Sequence, residues 1–239
     1  MNSAETTPLP LLQVLIPGVL QRLIWFPTRG LFTAFLRYRV KGREHHRALE
    51  GPCIIAANHV GELDPILVTA AFSPFKARLP LFYVSAPKEA YGKAFGLRGR
   101  LLYGGAFFRA WGAYPAYSGK SSYAEALLHH LPLLRAGRTI CMFPNGRMDV
   151  PSAAGAKGGV AYLARATGAP VLPVHIGGID GMTAREFWGG KRRVTLAFGT
   201  PLSADDIGMP QNAEAATRDE CEAAARKVME AVYALGAAV

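Results

Sequence analysis

"IIAANHVGELDPI" (residues 54–66) is an apolar run that stops at Asn58-His59, crosses Gly61 and reaches Asp64 and Pro65. A short continuous apolar run bounded by turn residues reads as a fully buried strand, and its approach, "GPCIIAAN" (51–58), has that form. The continuation, "DPILVTAAF" (64–72), reads as a helix, with Asp64 a favourable N-cap and Pro65 suited to the first helical position. A buried strand passing through a tight turn into a helix is the building unit of a parallel sheet. The same stretch sets a histidine and a carboxylate five residues apart. On one straight helix the two would point about 140° apart at 3.6 residues per turn. A turn at Gly61 lets them meet. Asp64 would then bond one imidazole nitrogen of His59 and leave the other free as a general base. A purely structural reading of the pair is also open, with Asp64 only a cap and His59 only a polar strand end.

Outward from this stretch, strands and helices alternate. "RYRVKG" (37–42) reads as a short strand, "LFYVSA" (81–86) as a strand, and 91–112 as mostly helical. "GAYPAY" (112–117) reads as a short extended piece, and 121–137 as a helix kinked at Pro132. "RTICMFPNG" (138–146) is a buried strand ending in a turn, and "AKGGVAYLARATG" (156–168) is a helix with a glycine stop. "APVLPVHIGG" (169–178) and "KRRVTLAFGTPL" (191–202) are the last strands, and 212–235 is an amphipathic helix. The alternation predicts an α/β fold: a mostly parallel sheet covered by helices on both faces. Functional groups in such sheets gather beyond the carboxyl ends of the strands, which here carry Asn58-His59, Pro144-Asn145-Gly146-Arg147 and His175. His175 reads as a packing residue.

The formal charge is +10, and its distribution separates the classes of partner. From Thr6 to Arg43 there is no acidic residue, while Arg22, Arg29, Arg37, Arg39, Lys41 and Arg43 are basic, within the most apolar part of the chain. Pro8, Pro10 and Pro17 interrupt it, and its uncharged run ends at Arg22, short of the ~20 residues of a membrane span. A secretory signal would carry its positive charges before the apolar stretch rather than within and after it. Residues 1–36 therefore read as an amphipathic basic segment lying in a membrane interface, with arginines reaching anionic headgroups. The predicted place is the cytoplasmic face of the inner (plasma) membrane. Nucleic acid is not an expected partner, because these basic residues lie in an apolar, proline-broken segment rather than an aromatic-laced groove. Cys53, Cys141 and Cys221 are scattered and odd in number, which argues against a disulfide framework. His45-His46 and His129-His130 lack carboxylate or cysteine co-ligands and read as surface residues, so no metal is expected. No Gly-x-Ser-x-Gly occurs, which excludes the usual serine-hydrolase elbow.

"GPCIIAANHVGELDPILV" (51–68) resembles the defining block of the glycerolipid acyltransferase family, in which Asn-His, four residues and Asp follow an apolar strand. "VKGREHHRALEGP" resembles the family's lead-in, "LLRAGRTICMFPNGRM" its third block, "APVLPVHIGG" its fourth and "RVTLAFGTPL" its closing strand. The resemblance implies that residues 37–239 form the acyltransferase domain. It implies His59 as general base, Asp64 as the residue orienting it, and an ester formed from an acceptor hydroxyl and an acyl thioester. The acyl donor would be acyl-CoA or an acyl-carrier protein and the other partner a membrane lipid. No metal or organic cofactor is implied.

On the acceptor side the resemblance implies Asn58, Asn145, Gly146, Arg147, Lys120 and Lys157, with two departures. Asn145 stands where the family usually has glutamate, keeping a carbonyl and losing a charge. In the second block, "GAYPAYSGK" (112–120) puts Pro115 at the aromatic position and Ser118 where an arginine would hold phosphate, leaving Lys120 nearby. Arg147 keeps a guanidinium suited to an anion. The glycines after Lys157 suit either an anion at a helix start or close helix packing. Three readings of the acceptor side stay open: a lyso-lipid, a non-phosphate acceptor such as a glycolipid or carotenoid, and a catalytically silent lipid-binding relative.

Overall fold

The computed structural model describes residues 10–76, 78–91, 105–117, 119–146 and 152–237. Its centre is β2 (Ile54–Ala57), all four residues buried, which is why the run carries no alternating polar positions. Around it lies a sheet ordered β1-β7-β6-β2-β5-β3-β4. The other strands are β1 (Arg39–Lys41), β3 (Phe82–Ser85), β4 (Ala113–Pro115), β5 (Ile140–Met142), β6 (Val171–Gly177) and β7 (Thr195–Phe198). β2 pairs in parallel with β5 and β6, and β3 pairs in parallel with β4 and β5. β7 runs antiparallel to β6, and β1 follows β7. The sheet is thus mostly parallel, with one reversed edge.

Successive residues of β2 point to opposite faces and join two separate cores. Ile54 and Ala56 pack under α7 (Gly159–Thr167) and α9 (Arg218–Ala237), with Leu163 and Val228 fully buried. Cys53, Ile55 and Ala57 face α3 (Asp64–Ala71) and the inner side of α1 (Leu11–Leu36), through Leu67, Phe32 and Leu36. The glycines at the start of α7 have a packing role. A Cβ on Gly158 would collide with Tyr123 and Cys221, so only glycine lets this turn touch α9. The remaining described helices are short: α2 (Arg43–Arg47), α4 (Gly105–Trp111), α5 (Tyr123–Ala126), α6 (His130–Arg135) and α8 (Ala184–Trp188). Most of the 91–112 segment lies outside the described residues.

Three expectations from sequence are corrected. The 121–137 segment is two short helices rather than one kinked helix. The break covers Leu127–His129, so Pro132 falls in the first turn of α6, where its missing N–H costs nothing. The break also turns His130 inward. It is fully buried rather than on the surface, and burial followed by the neighbouring His129 pushes its pKa down to about 4. His46 is likewise half-buried, against Phe72 and Phe198 at ring distances of 5.0 and 4.8 Å.

The third correction concerns α1. It is one continuous 26-residue helix despite Pro17 and Pro27, with mean hydropathy 1.2, long and apolar enough to cross a membrane by length and composition. Its two arginines do not reach outward. Arg22 donates to the carbonyls of Pro74 and Leu79, Trp25 Nε1 to Phe72 at 2.7 Å, and Arg29 to Ala70. Buried Gln21 donates to Leu81 and Trp111 and accepts from the Leu81 amide. The carbonyls at the end of α3 have no partner within their own helix; Arg29 and Trp25 serve those of Ala70 and Phe72, while Arg22 serves the segment that follows, at Pro74 and Leu79. The face left outside is apolar: Leu11, Leu12, Leu15, Leu23 and Phe26 are all exposed.

Candidate active site

The site is built at the carboxyl end of β2. Asn58 is buried, and its side chain forms a two-way bridge to the backbone of β6: Nδ2 donates to the Ile176 carbonyl at 2.8 Å, and Oδ1 accepts from the Ile176 amide at 2.7 Å. This bridge extends the β2–β6 pairing by a side chain and fixes where the backbone leaves the sheet. His59 is therefore launched from an anchored residue. Asn58 itself belongs to the structure of the strand end through this bridge.

Asp64 opens α3 but does not cap it in the expected way. Its carboxylate is fully buried and turns back onto the preceding loop. Oδ2 accepts from the amides of Val60 at 2.7 Å and Gly61 at 2.9 Å, and meets His59 Nδ1 at 2.7 Å. The first amides of α3 are served by backbone instead, that of Asp64 donating to Gly61 O and those of Ile66 and Leu67 to Leu63 O. Two backbone donors thus pin a negatively charged oxygen opposite Nδ1. An oxygen that already accepts two N–H bonds requires Nδ1 to be the protonated ring nitrogen, so Nε2 carries the lone pair. Nε2 makes no hydrogen bond among the described residues. The imidazole side chain is 20% exposed and lies flat against Phe143, ring centroids 4.5 Å apart and planes 22° apart. Phe143 ends β5, the strand beside β2, and its face holds the ring while one edge stays open.

The cysteines offer no competing nucleophile. Burial, and then the Asp64 carboxylate, push the Cys141 thiol well above its usual range. Burial raises Cys53, and raises Cys221 to about 11. Thiols held protonated in this way are inert.

The β5 end brings Asn145, Gly146 and Lys157 together. Asn145 is buried, and its amide donates to the Ser152 carbonyl at 2.9 Å and to Tyr233 Oη at 2.8 Å on α9. A carboxylate could not donate to Ser152, so the amide at this position is matched to its surroundings. Gly146 has φ +62°, and the end of the exposed Lys157 side chain passes 3.4 Å from where its Cβ would be. Lys157 is also tied through its amide to the Pro144 carbonyl at 3.0 Å. Arg147 lies outside the described residues, as does Ser118. Lys120 is exposed in the segment that follows β4, the edge strand of the sheet. His175 lies half-buried against Gly177 and Gly236, in a packing role. Phe143 and Tyr233 were not singled out from sequence. Each reaches the site across a strand or helix neighbour that no local pattern encodes.

Among solved structures, the fold is similar to that of PlsC, the 1-acyl-sn-glycerophosphate (LPA) acyltransferase from Thermotoga maritima, at a TM-score of 0.57 and 21% identity. The likeness covers 92% of this chain and 79% of that one, and it is a likeness of fold. No curated protein matches the sequence. The Acyltransferase family model matches residues 37–177, the stretch from β1 through β6 that contains the dyad, the Asn58 bridge and the β5 end. Because that match takes in more than half of the chain, and with it the dyad and the strand ends around it, the protein belongs to the acyltransferase family.

Proposed function

We propose that the protein is a membrane-bound O-acyltransferase that moves a fatty acyl group from an acyl thioester to a hydroxyl of a lyso-lipid-type acceptor. In this reading His59 Nε2 takes the hydroxyl proton as the oxygen attacks the thioester carbonyl. The C–S bond then breaks, and the imidazolium returns the proton to the leaving thiolate, giving an ester and a free thiol. Asp64 holds Nδ1–H and stabilises the imidazolium. The observation that carries the reading is the Nδ1–Oδ2 contact of 2.7 Å on a carboxylate oxygen already pinned by two amides.

The acceptor is inferred from charge. A phosphate monoester carries nearly two negative charges, and the second block offers only Lys120, a point charge, where an arginine would grip phosphate by paired donors. The pinned amide of Asn145 adds no charge. A hydroxyl beside a bulkier or less charged head group suits this arrangement better than lysophosphatidic acid. Membrane attachment is proposed through the outward apolar face of α1, with the domain on the cytoplasmic side, where acyl thioesters are available.

The test uses purified full-length protein with labelled acyl-CoA or acyl-carrier protein. The panel contains lysophosphatidic acid, other lysophospholipids, a glycolipid and total membrane extract, with products read by mass. An ester product that disappears in His59→Ala is expected, with lysophosphatidic acid not the preferred acceptor. Undiminished transfer by a folded His59→Ala protein would overturn the mechanism. A clear preference for lysophosphatidic acid would overturn the acceptor assignment.

A further inference from the structure

At the pole of the sheet opposite the dyad lies a cavity of about 1010 Å³. It opens where the strands begin: Gly51 precedes β2, Pro80 precedes β3, and Thr139 precedes β5. From Cys53 to Asn58 the chain crosses the sheet, roughly 17 Å at ~3.3 Å per residue, so the cavity is separate from the site above. Folds of this kind place their ligands beyond the carboxyl ends of the strands, and this cavity has no such standing role.

Its lining is strongly cationic. Arg29, Arg43, Arg47, Lys76, Arg78 and Arg138 face it, and no acidic residue lines it. Two of these cations have structural work. Arg78 donates to the carbonyls of Gly51, His46 and Leu49, and Arg29 donates to Ala70 and stacks on Tyr38 at 4.8 Å. Their partners are neutral carbonyls and a ring, so no carboxylate offsets either charge. The other four make no ion pair among the described residues, and Nε of Arg43 and of Arg138 is buried without a hydrogen-bond acceptor. Glu44, the nearest acidic residue of α2, is largely exposed and leans towards His45. His46 registers the resulting field. Burial, and then the charges of Arg78, Arg47 and Arg43, hold it down to about 4. One rim is apolar and continuous with the outer face of α1. Phe75 is 83% exposed and meets Phe26 edge-on at 6.1 Å.

Six like charges gathered around one cavity repel one another, and no carboxylate of the lining relieves them. From this we infer that the cavity is an anion site for a phosphate-bearing group, bound away from the catalytic dyad. Guanidinium groups suit phosphate oxygens by their paired donors. Two sources present this chemistry, an anionic lipid headgroup and free phosphate, and the apolar rim beside α1 suits the first. The inference does not rest on acyl transfer, since a chain silent in transfer would keep the cavity.

The test uses full-length protein in non-ionic detergent titrated calorimetrically with inorganic phosphate, and co-sedimentation with phosphatidylcholine vesicles with and without phosphatidylglycerol. The variants are Arg47→Gln with Lys76→Gln, both exposed, and Arg43→Gln alone. Arg135→Gln with Lys227→Gln removes equal charge elsewhere as the control. A basic residue at an anionic surface is worth about fivefold in binding, so the cavity pair should weaken the responding ligand about 25-fold. Loss confined to phosphatidylglycerol vesicles identifies a headgroup, and loss of phosphate heat identifies a soluble anion. If neither ligand responds to the cavity substitutions beyond the control pair, the inference is overturned, and circular dichroism of each variant shows that the fold is kept.

Discussion

Replacing Asp64 with asparagine separates the charge of the dyad from its geometry. Oδ2 is held by the amides of Val60 and Gly61 as well as by His59 Nδ1. These amides can only donate, so the asparagine must place its oxygen there and its NH₂ at the position of Oδ1. Nδ1–H keeps an acceptor, Nε2 keeps its lone pair, and only the negative charge is lost. Opposite charges with centres about 4 Å apart interact by ~4 kcal/mol at an effective dielectric of 20. A neutral acceptor retains about half the worth of a charged one. The remaining loss of about 2 kcal/mol in the transition state corresponds to roughly 30-fold in rate. An inverted tautomer would cost far more, about 10⁴-fold in serine proteases. The assay is free-thiol release from acyl-CoA, and the fall should lie in kcat with KM little changed. The new NH₂ would occupy the place of Oδ1, which is buried without a partner, so unfolding stability should also fall by about 1–3 kcal/mol. A loss as large as that of His59→Ala would show that the two amides do not fix the tautomer. No loss in a folded variant would reduce Asp64 to a structural residue.

Thiol release by His59→Ala should fall about 10²–10⁴-fold, the usual worth of a general base, with the circular dichroism spectrum unchanged. Asn58→Ala strips both partners from the buried Ile176 backbone and should destabilise by about 2–4 kcal/mol in urea unfolding; an unchanged midpoint would mean that the bridge is not formed. Asn145→Asp turns the donor facing Ser152 O into an acceptor and should cost about 1–3 kcal/mol. It should not make lysophosphatidic acid the preferred acceptor, which the same product assay reads. His130 has a folded pKa of about 4, below its ordinary value of 6.5. As pH falls through that interval the unfolded chain takes up a proton that the folded chain refuses, so stability present above pH 6.5 is lost towards pH 4. His130→Leu should shrink the difference in urea midpoint between pH 7.5 and pH 5, and an undiminished difference would place the acid sensitivity elsewhere.

The amino-acid sequence alone determined the strand, turn and helix around His59 and Asp64, because that unit is encoded within about twenty residues. Apolar continuity makes β2, and Asp64-Pro65 starts α3 after a short turn. The alternation of elements, and with it a mostly parallel α/β sheet, was legible for the same reason. The tertiary structure decided what lies beside what. Strand order is a long-range pairing, so the stacking of Phe143 on His59 and the bridge from Asn58 to Ile176, 118 residues away, had no local signal. The reversed direction of β7 was hidden too, since a buried strand reads alike in either direction. The side chains of α1 show the limit most clearly. Arginines among apolar residues look like an interfacial helix reaching for headgroups, yet Arg22 and Arg29 turn inward. Arg29 serves the Ala70 carbonyl at the end of α3 and Arg22 the Pro74 and Leu79 carbonyls after it, acceptors that come within reach only once α1 has packed there.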